Sequence, residues 1–159
     1  MLNSNITVLA TDAAKRYQLP APLVLAIVQA ESGGDPWAIR YEPGFFQRYI
    51  AGKPVLARAP CSEQTEATMQ ATSWGLMQVM GATARERGFR GVFLSEMCDP
   101  RIGLDWGCCH LDHLTKKHLK VGGWAAVVAA YNAGSPKKEN GQFVNQAYVD
   151  KIVRFGGFS

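Results

Sequence analysis

An all-α single domain is what the sequence predicts, and three observations predict it. Apolar residues recur at three- and four-residue steps in several segments, and helix start and stop signals bracket those segments. No stretch alternates apolar and polar residues well enough to demand a strand. The 159 residues suit one compact domain, since a chain of that size buries roughly two-thirds of its unfolded surface. Glycines and prolines are spread along the sequence, and no repeat or low-complexity tract divides residues 1–159.

Taken in order, Ile6, Leu9, Ala10, Ala13, Ala14 and Tyr17 fall at helical steps and predict a first amphipathic helix. Pro22 suits the first turn of a second helix. The segment Leu23 to Glu31 has apolar residues on nearly every face, which places it in the core. Gly33 and Gly34 end that helix, and Asp35-Pro36 follows as a stop. From Trp37 to Thr72 the pattern is irregular, with short helices expected around Phe45 to Ile50 and Glu63 to Ala71. Thr83 to Arg87 reads as a brief helix closed by Gly88.

Asp99-Pro100 is a strong start signal, with Asp99 as N-cap and Pro100 at the first helical position. The helix is expected to run to about Leu119, with Ile102, Trp106, Cys109 and His113 on its apolar stripe and Asp112–Lys116 as an exposed pair. Gly122-Gly123 breaks it before another apolar helix, Trp124 to Tyr131. A last helix is predicted over Gln142 to Phe155, with Val144, Tyr148, Ile152 and Phe155 at helical steps.

The net charge of +4 favours polyanionic partners in general, a class that spans nucleic acid, anionic membranes and cell-wall polymers. The basic residues do not gather into a nucleic-acid footprint; Lys116, Lys117 and Lys120 form the densest group, and a solvated helix face accounts for them. The apolar run Leu23 to Val28 is too short and too internal for a signal core or a membrane span. Synthesis without a classical export signal is therefore expected, and with it four reduced, mostly buried cysteines. Cys109 and His113 share a helix face, but two ligands without a C-x-x-C make an incomplete metal site, so no metal is expected.

Glu31 is the most informative position. It ends an apolar helix, so its carboxyl sits where core meets the outside, and both desolvation and the negative end of the helix dipole raise its pKa. A carboxyl that keeps its proton near neutral pH suits protonation of a glycosidic oxygen. The competing reading is a last-turn glutamate that faces solvent.

Three segments read together shift that balance. Ala30-Glu31-Ser32-Gly33-Gly34-Asp35-Pro36, Ser73-Trp74-Gly75-Leu76-Met77-Gln78-Val79-Met80 and Ala129-Ala130-Tyr131-Asn132-Ala133-Gly134 occur in that order. They resemble the signature segments of the soluble lytic transglycosylases, which share a lysozyme-like domain with goose-type lysozyme. The resemblance implies a lysozyme-like fold acting on peptidoglycan glycan strands, at the bond between N-acetylmuramic acid and N-acetylglucosamine, without a cofactor. By position it implies that Glu31 is the acid and base and that the Ser32 hydroxyl helps to set the site. It implies that Gln78 and Met80 line the sugar groove, that Tyr131 reaches the catalytic carboxyl, and that Asn132 belongs to the same turn.

The chemistry fits those residue types. The Gln78 amide offers a donor and an acceptor to sugar hydroxyls or an acetamido group, and Met80 and Tyr131 offer apolar walls. Family members work with one glutamic acid and form a 1,6-anhydro product without water. The sequence departs from the family pattern between Ser32 and Gly75, where an inserted segment around residues 37–72 carries Glu42, Glu63 and Glu66. Its aromatics, Trp37, Tyr41, Phe45, Phe46 and Tyr49, are expected to pack the insertion onto the domain rather than stack on sugar. If the insertion folds over the groove, Glu42 is the candidate second carboxylate of a hydrolytic muramidase. A catalytically silent wall-binding module is the rival from another class. Compact size and the expected lack of an export signal suit a bacteriophage lysis enzyme or a virion-associated one, acting as a monomer and reaching the wall after release or delivery. A bacterial enzyme whose leader lies outside this sequence is the alternative.

Overall fold

Helix α1 (Ser4–Arg16) begins where the Asn3 side chain accepts a hydrogen bond from the Ile6 amide at 2.8 Å. It buries Ile6, Ala10, Ala13 and Ala14, and the three small alanines let α2 (Ala21–Glu31) and α6 (Pro100–Ala133) pack closely against it. The computed structural model describes residues 2–159. As its composition requires, α2 is buried along most of its length, with Leu23, Val24, Ile27 and Val28 fully enclosed. Gly33 and Gly34 then take positive φ values, +64° and +91°, and turn the chain away.

The insertion folds as strand β1 (Ile39–Tyr41), a short helix α3 (Pro43–Phe45) running into a π turn (Phe46–Ile50), and α4 (Glu63–Gln70), capped by Ser62. Both short helices lie where the sequence places them. Strand β1 was not foreseen. It pairs antiparallel with β2 (Thr72–Trp74), which pairs with β3 (Val79–Met80), so that Ile39 opposes Trp74 and Ser73 opposes Met80. Every residue of β2 is buried, so the strand shows none of the alternation that a sequence reading needs. Helix α5 (Gly81–Arg87) follows and stops at Gly88, whose φ is +108°.

Beyond a 3₁₀ turn (Leu94–Cys98), Asp99 caps α6 by accepting from the Arg101 and Ile102 amides. Gly122 and Gly123 leave helical geometry and divide α6 at the expected place. Its buried face differs from the predicted one. Gly103, Leu104, Gly107, Cys108, Leu111 and Leu114 face the core, while Ile102, Trp106 and Cys109 lie on its flank and His113 is exposed. The cause is the two glycines, which carry no apolar side chain for periodicity to register. A Cβ on Gly107 would collide with Met77, and one on Gly103 with the Met97 carbonyl, which also abuts Gly75.

The C-terminal region requires a second correction. A hairpin, β4 (Lys138–Glu139) and β5 (Gln142–Phe143), precedes α7 (Gln146–Arg154), so the last helix is shorter than Gln142 to Phe155. The turn is Asn140-Gly141, with φ of +52° and +82°, the residue pair that two-residue hairpins favour. Helix α7 buries Val149 and Ile152, while Val144 and Phe155 remain 49% and 45% exposed. Cys61, Cys98 and Cys108 are buried, Cys109 is partly so, and all four are free thiols. Among the described residues no helix is long and apolar enough to cross a membrane.

Candidate active site

A cleft of about 580 Å³ runs between the insertion, the β2–β3 turn and α6. Glu31, Glu42, Gln78, Met80, Tyr131 and Asn132 all line it. Six of the seven residues singled out by sequence therefore converge on one concavity, although they come from four separate parts of the chain.

The seventh, Ser32, works from behind. Its hydroxyl donates to the Leu76 carbonyl at 2.9 Å and accepts from the Gly34 amide at 3.1 Å, tying the end of α2 to the β2–β3 turn. That turn is itself held by Gln78. The side-chain amide nitrogen donates to the Ala38 and Gly75 carbonyls at 2.8 and 2.9 Å, and its oxygen accepts from the Ser73 hydroxyl at 2.9 Å. Gln78 adopts a φ of +48°, and its amide is spent on the fold rather than left free for sugar hydroxyls. The expected hydrogen-bonding role of Gln78 thus becomes a positioning role.

Tyr131 also departs from expectation. Its hydroxyl donates to the Met77 carbonyl at 2.7 Å, clamping the same turn to α6. The tyrosine that donates to Glu31 Oε1 is Tyr148, on α7, at 2.5 Å. Lys151, one turn further along α7, donates to the Ala30 carbonyl at 2.8 Å. Asn132 accepts from Asn145 at 2.9 Å, and Asn145 donates to the Ala129 carbonyl at 3.0 Å, so this turn too is linked to α7.

Electrostatics at Glu31 follow from these contacts. Burial raises its pKa, and this outweighs the Tyr148 hydrogen bond and the positive charges of Arg40 and Lys151, each of which lowers it. Burial and the Glu31 charge together raise the ionisation of Tyr148 well above its ordinary value, so it remains a donor. Glu42 lies on the same cleft in an ion pair with Arg40 at 2.5 Å. On the α6 side His110 packs its ring 5.4 Å from that of Tyr131, and burial, aided by Arg87 and His113, pushes its pKa down to about 4.

The inserted aromatics do not form a packed core. Trp37 is 74% exposed, and Tyr41 and Tyr49 are also exposed. Phe45 and Tyr49 pair at 4.8 Å between ring centroids and line the cleft. Cys109 and His113 gain no further ligand, and the described residues contain no group of three or more His, Cys, Asp or Glu placed to hold a metal ion.

Compared with known protein families, the chain matches the transglycosylase SLT domain over residues 9–151. It belongs to that family. Membership accounts for the predominantly helical, lysozyme-like architecture and indicates peptidoglycan-degrading activity of the transglycosylase type. No curated protein and no solved structure matches the chain. Within this SLT domain, the residue that sequence reasoning missed is Tyr148. It lies 117 positions from Glu31, outside the three segments that carry the resemblance, and only its place on a predicted amphipathic helix marked it at all.

Proposed function

We propose that this SLT domain is a lytic transglycosylase that cleaves the β-1,4 bond between N-acetylmuramic acid and N-acetylglucosamine, with Glu31 as its single acid and base. The observation that carries this reading is the half-buried Glu31 carboxyl on the cleft wall, its pKa raised by burial while Tyr148 fixes its orientation. In the first half of the reaction protonated Glu31 donates to the glycosidic oxygen as the C1–O bond breaks. The resulting carboxylate then takes the proton of the muramic acid C6 hydroxyl, whose oxygen closes on C1. Glu31 is left protonated, the product is a 1,6-anhydro sugar, and no water is consumed. Met80 and the ring faces of Phe45 and Tyr49 supply apolar surface for the sugar rings.

A hydrolytic muramidase on the same fold needs a second carboxylate to activate water or attack C1. Glu42 and Glu86 share the cleft with Glu31, Glu42 with one oxygen held by Arg40 and Glu86 beside Arg87. Digesting purified peptidoglycan and weighing the muropeptides separates the readings. Anhydro ends are expected; fragments heavier by one water would assign the enzyme to hydrolysis, and intact strands would leave only a wall-binding module.

In this mechanism Tyr148 is a positioning residue. Tyr148→Phe removes a hydrogen bond that favours the Glu31 carboxylate, so the Glu31 pKa rises further and the alkaline limb of the pH–rate profile moves to higher pH. Looser orientation lowers kcat by about one to two orders of magnitude. An unmoved alkaline limb would separate Tyr148 from the proton transfer.

A further inference from the structure

Residues 43–60 border the cleft with little to hold them against the domain. Their hydrogen bonds run within the segment or to the flanking Glu42 and Cys61. None of their side chains forms a hydrogen bond or an ion pair among the described residues. Ile50 is their one buried residue, and Leu56 is almost fully exposed. Gly44 and Gly52 stand in open space, where an added Cβ would meet nothing within 4 Å. A segment with so few tertiary contacts opens at low free-energy cost. Both of its ends, by contrast, are fixed. The Glu42 amide donates to the Ala71 carbonyl at 2.8 Å, and Ser62 caps α4, which Glu66 ties to Arg85 of α5.

What this tethered span carries faces the cleft. Phe45 and Tyr49 line it with their ring centroids 4.8 Å apart, on a π turn, a geometry that recurs at functional sites. We propose that residues 43–60 are a lid that pivots on its fixed ends, closes over a bound glycan strand and shuts water out of the Glu31 site. Closure lays the Phe45 and Tyr49 rings on the sugars. The inference rests on the transglycosylase reading above and deepens it. In that mechanism the broken C1–O bond leaves a centre that either the C6 hydroxyl or a water molecule can capture. A closed lid removes the water and leaves the hydroxyl in place, so closure decides between anhydro and water-added ends.

Amide hydrogen exchange on Glu31→Gln, which holds strands without cutting them, tests the closure. In the free protein the amides of residues 43–60 are expected to exchange nearly as fast as in an open chain. Purified glycan strands should slow them about tenfold or more, the mark of a shifted open–closed equilibrium. Sedimentation scores binding of the strands separately. Strands that bind without slowing the segment, or a segment already protected in the free protein, would overturn the lid and leave the transglycosylase reading standing. Strands that do not bind at all would overturn both. The masses of the muropeptides test the consequence. Tyr49→Ala, at an exposed position where the fold is not at risk, is expected to raise the share of water-added ends about tenfold over wild type. An unchanged share would overturn the role of the lid in excluding water, and a wild type that makes only water-added ends would overturn it together with the transglycosylase reading.

Discussion

Replacing Glu31 with glutamine is expected to lower the rate of peptidoglycan cleavage by roughly 10³-fold or more, the loss that follows when a positioned general acid and base is removed. The same substitution is expected to stabilise the fold at neutral pH. Burial raises the Glu31 pKa above its ordinary value of 4.5, so between that value and the raised one the native state binds more protons than the unfolded state. Stability therefore falls as pH climbs through this window, and above it the cost of a buried anion is fully present. Glutamine carries no such anion. Thermal melts of wild type and Glu31→Gln should converge near pH 4 and separate above it, with the variant higher. A variant that lost activity and melted lower at every pH would point to a structural glutamate, and a variant that digested walls at full rate would remove Glu31 from the chemistry altogether.

The second large effect lies away from the cleft. Glu66 is fully buried on α4 and receives a forked pair of hydrogen bonds from Arg85 of α5, at 2.7 and 2.9 Å, with Gln70 adding a third at 3.0 Å. Arg85 also donates to the Phe89, Gly91 and Val92 carbonyls at 3.2, 2.7 and 3.3 Å. One guanidinium thus ties the insertion to α5 and organises the loop that follows it. Glu66→Ala leaves that cation without a counter-ion and is expected to cost about 3–5 kcal/mol, a fall in Tm on the order of 10 °C for a domain of this size. Pairing it with Arg85→Leu is not expected to restore stability, because three carbonyls then lose their donor. Urea denaturation of the single and double variants checks both statements; a loss under about 1 kcal/mol for Glu66→Ala, the range of exposed ion pairs, would contradict the assignment.

Glu66 also illustrates what a sequence conceals. In the sequence it is one of three acids on the inserted segment, and only the fold reveals that it is buried against Arg85 of the next helix. Local signals were legible where their cause was local. The Asn140-Gly141 turn was legible in principle, yet helical spacing from Val144 to Phe155 started the predicted helix at Gln142, over β5. The buried face of α6 was misread because Gly103 and Gly107 contribute contact without apolar side chains. Strands of two or three residues are too short to show a periodicity, and β1 is exposed and β2 buried at every position. At the cleft, the three ordered segments identified which residues gather, but not what their atoms are engaged in. Gln78 spends its amide on the main chain and Tyr131 bonds to Met77. The tyrosine on Glu31 comes from a helix that no local pattern connects to residue 31.

In the proposed mechanism the acid and the groups that aim it are synthesised far apart in time. The carboxyl sits at position 31, while the hydroxyl that orients it and the ammonium that braces the helix behind it belong to Tyr148 and Lys151. A nascent polypeptide carries the proposed acid early and the means of aiming it only after the ribosome has passed residue 151. Fragments released before that point hold the Glu31 carboxyl without the hydroxyl that orients it, so in the proposed mechanism cleavage waits until α7 has been made.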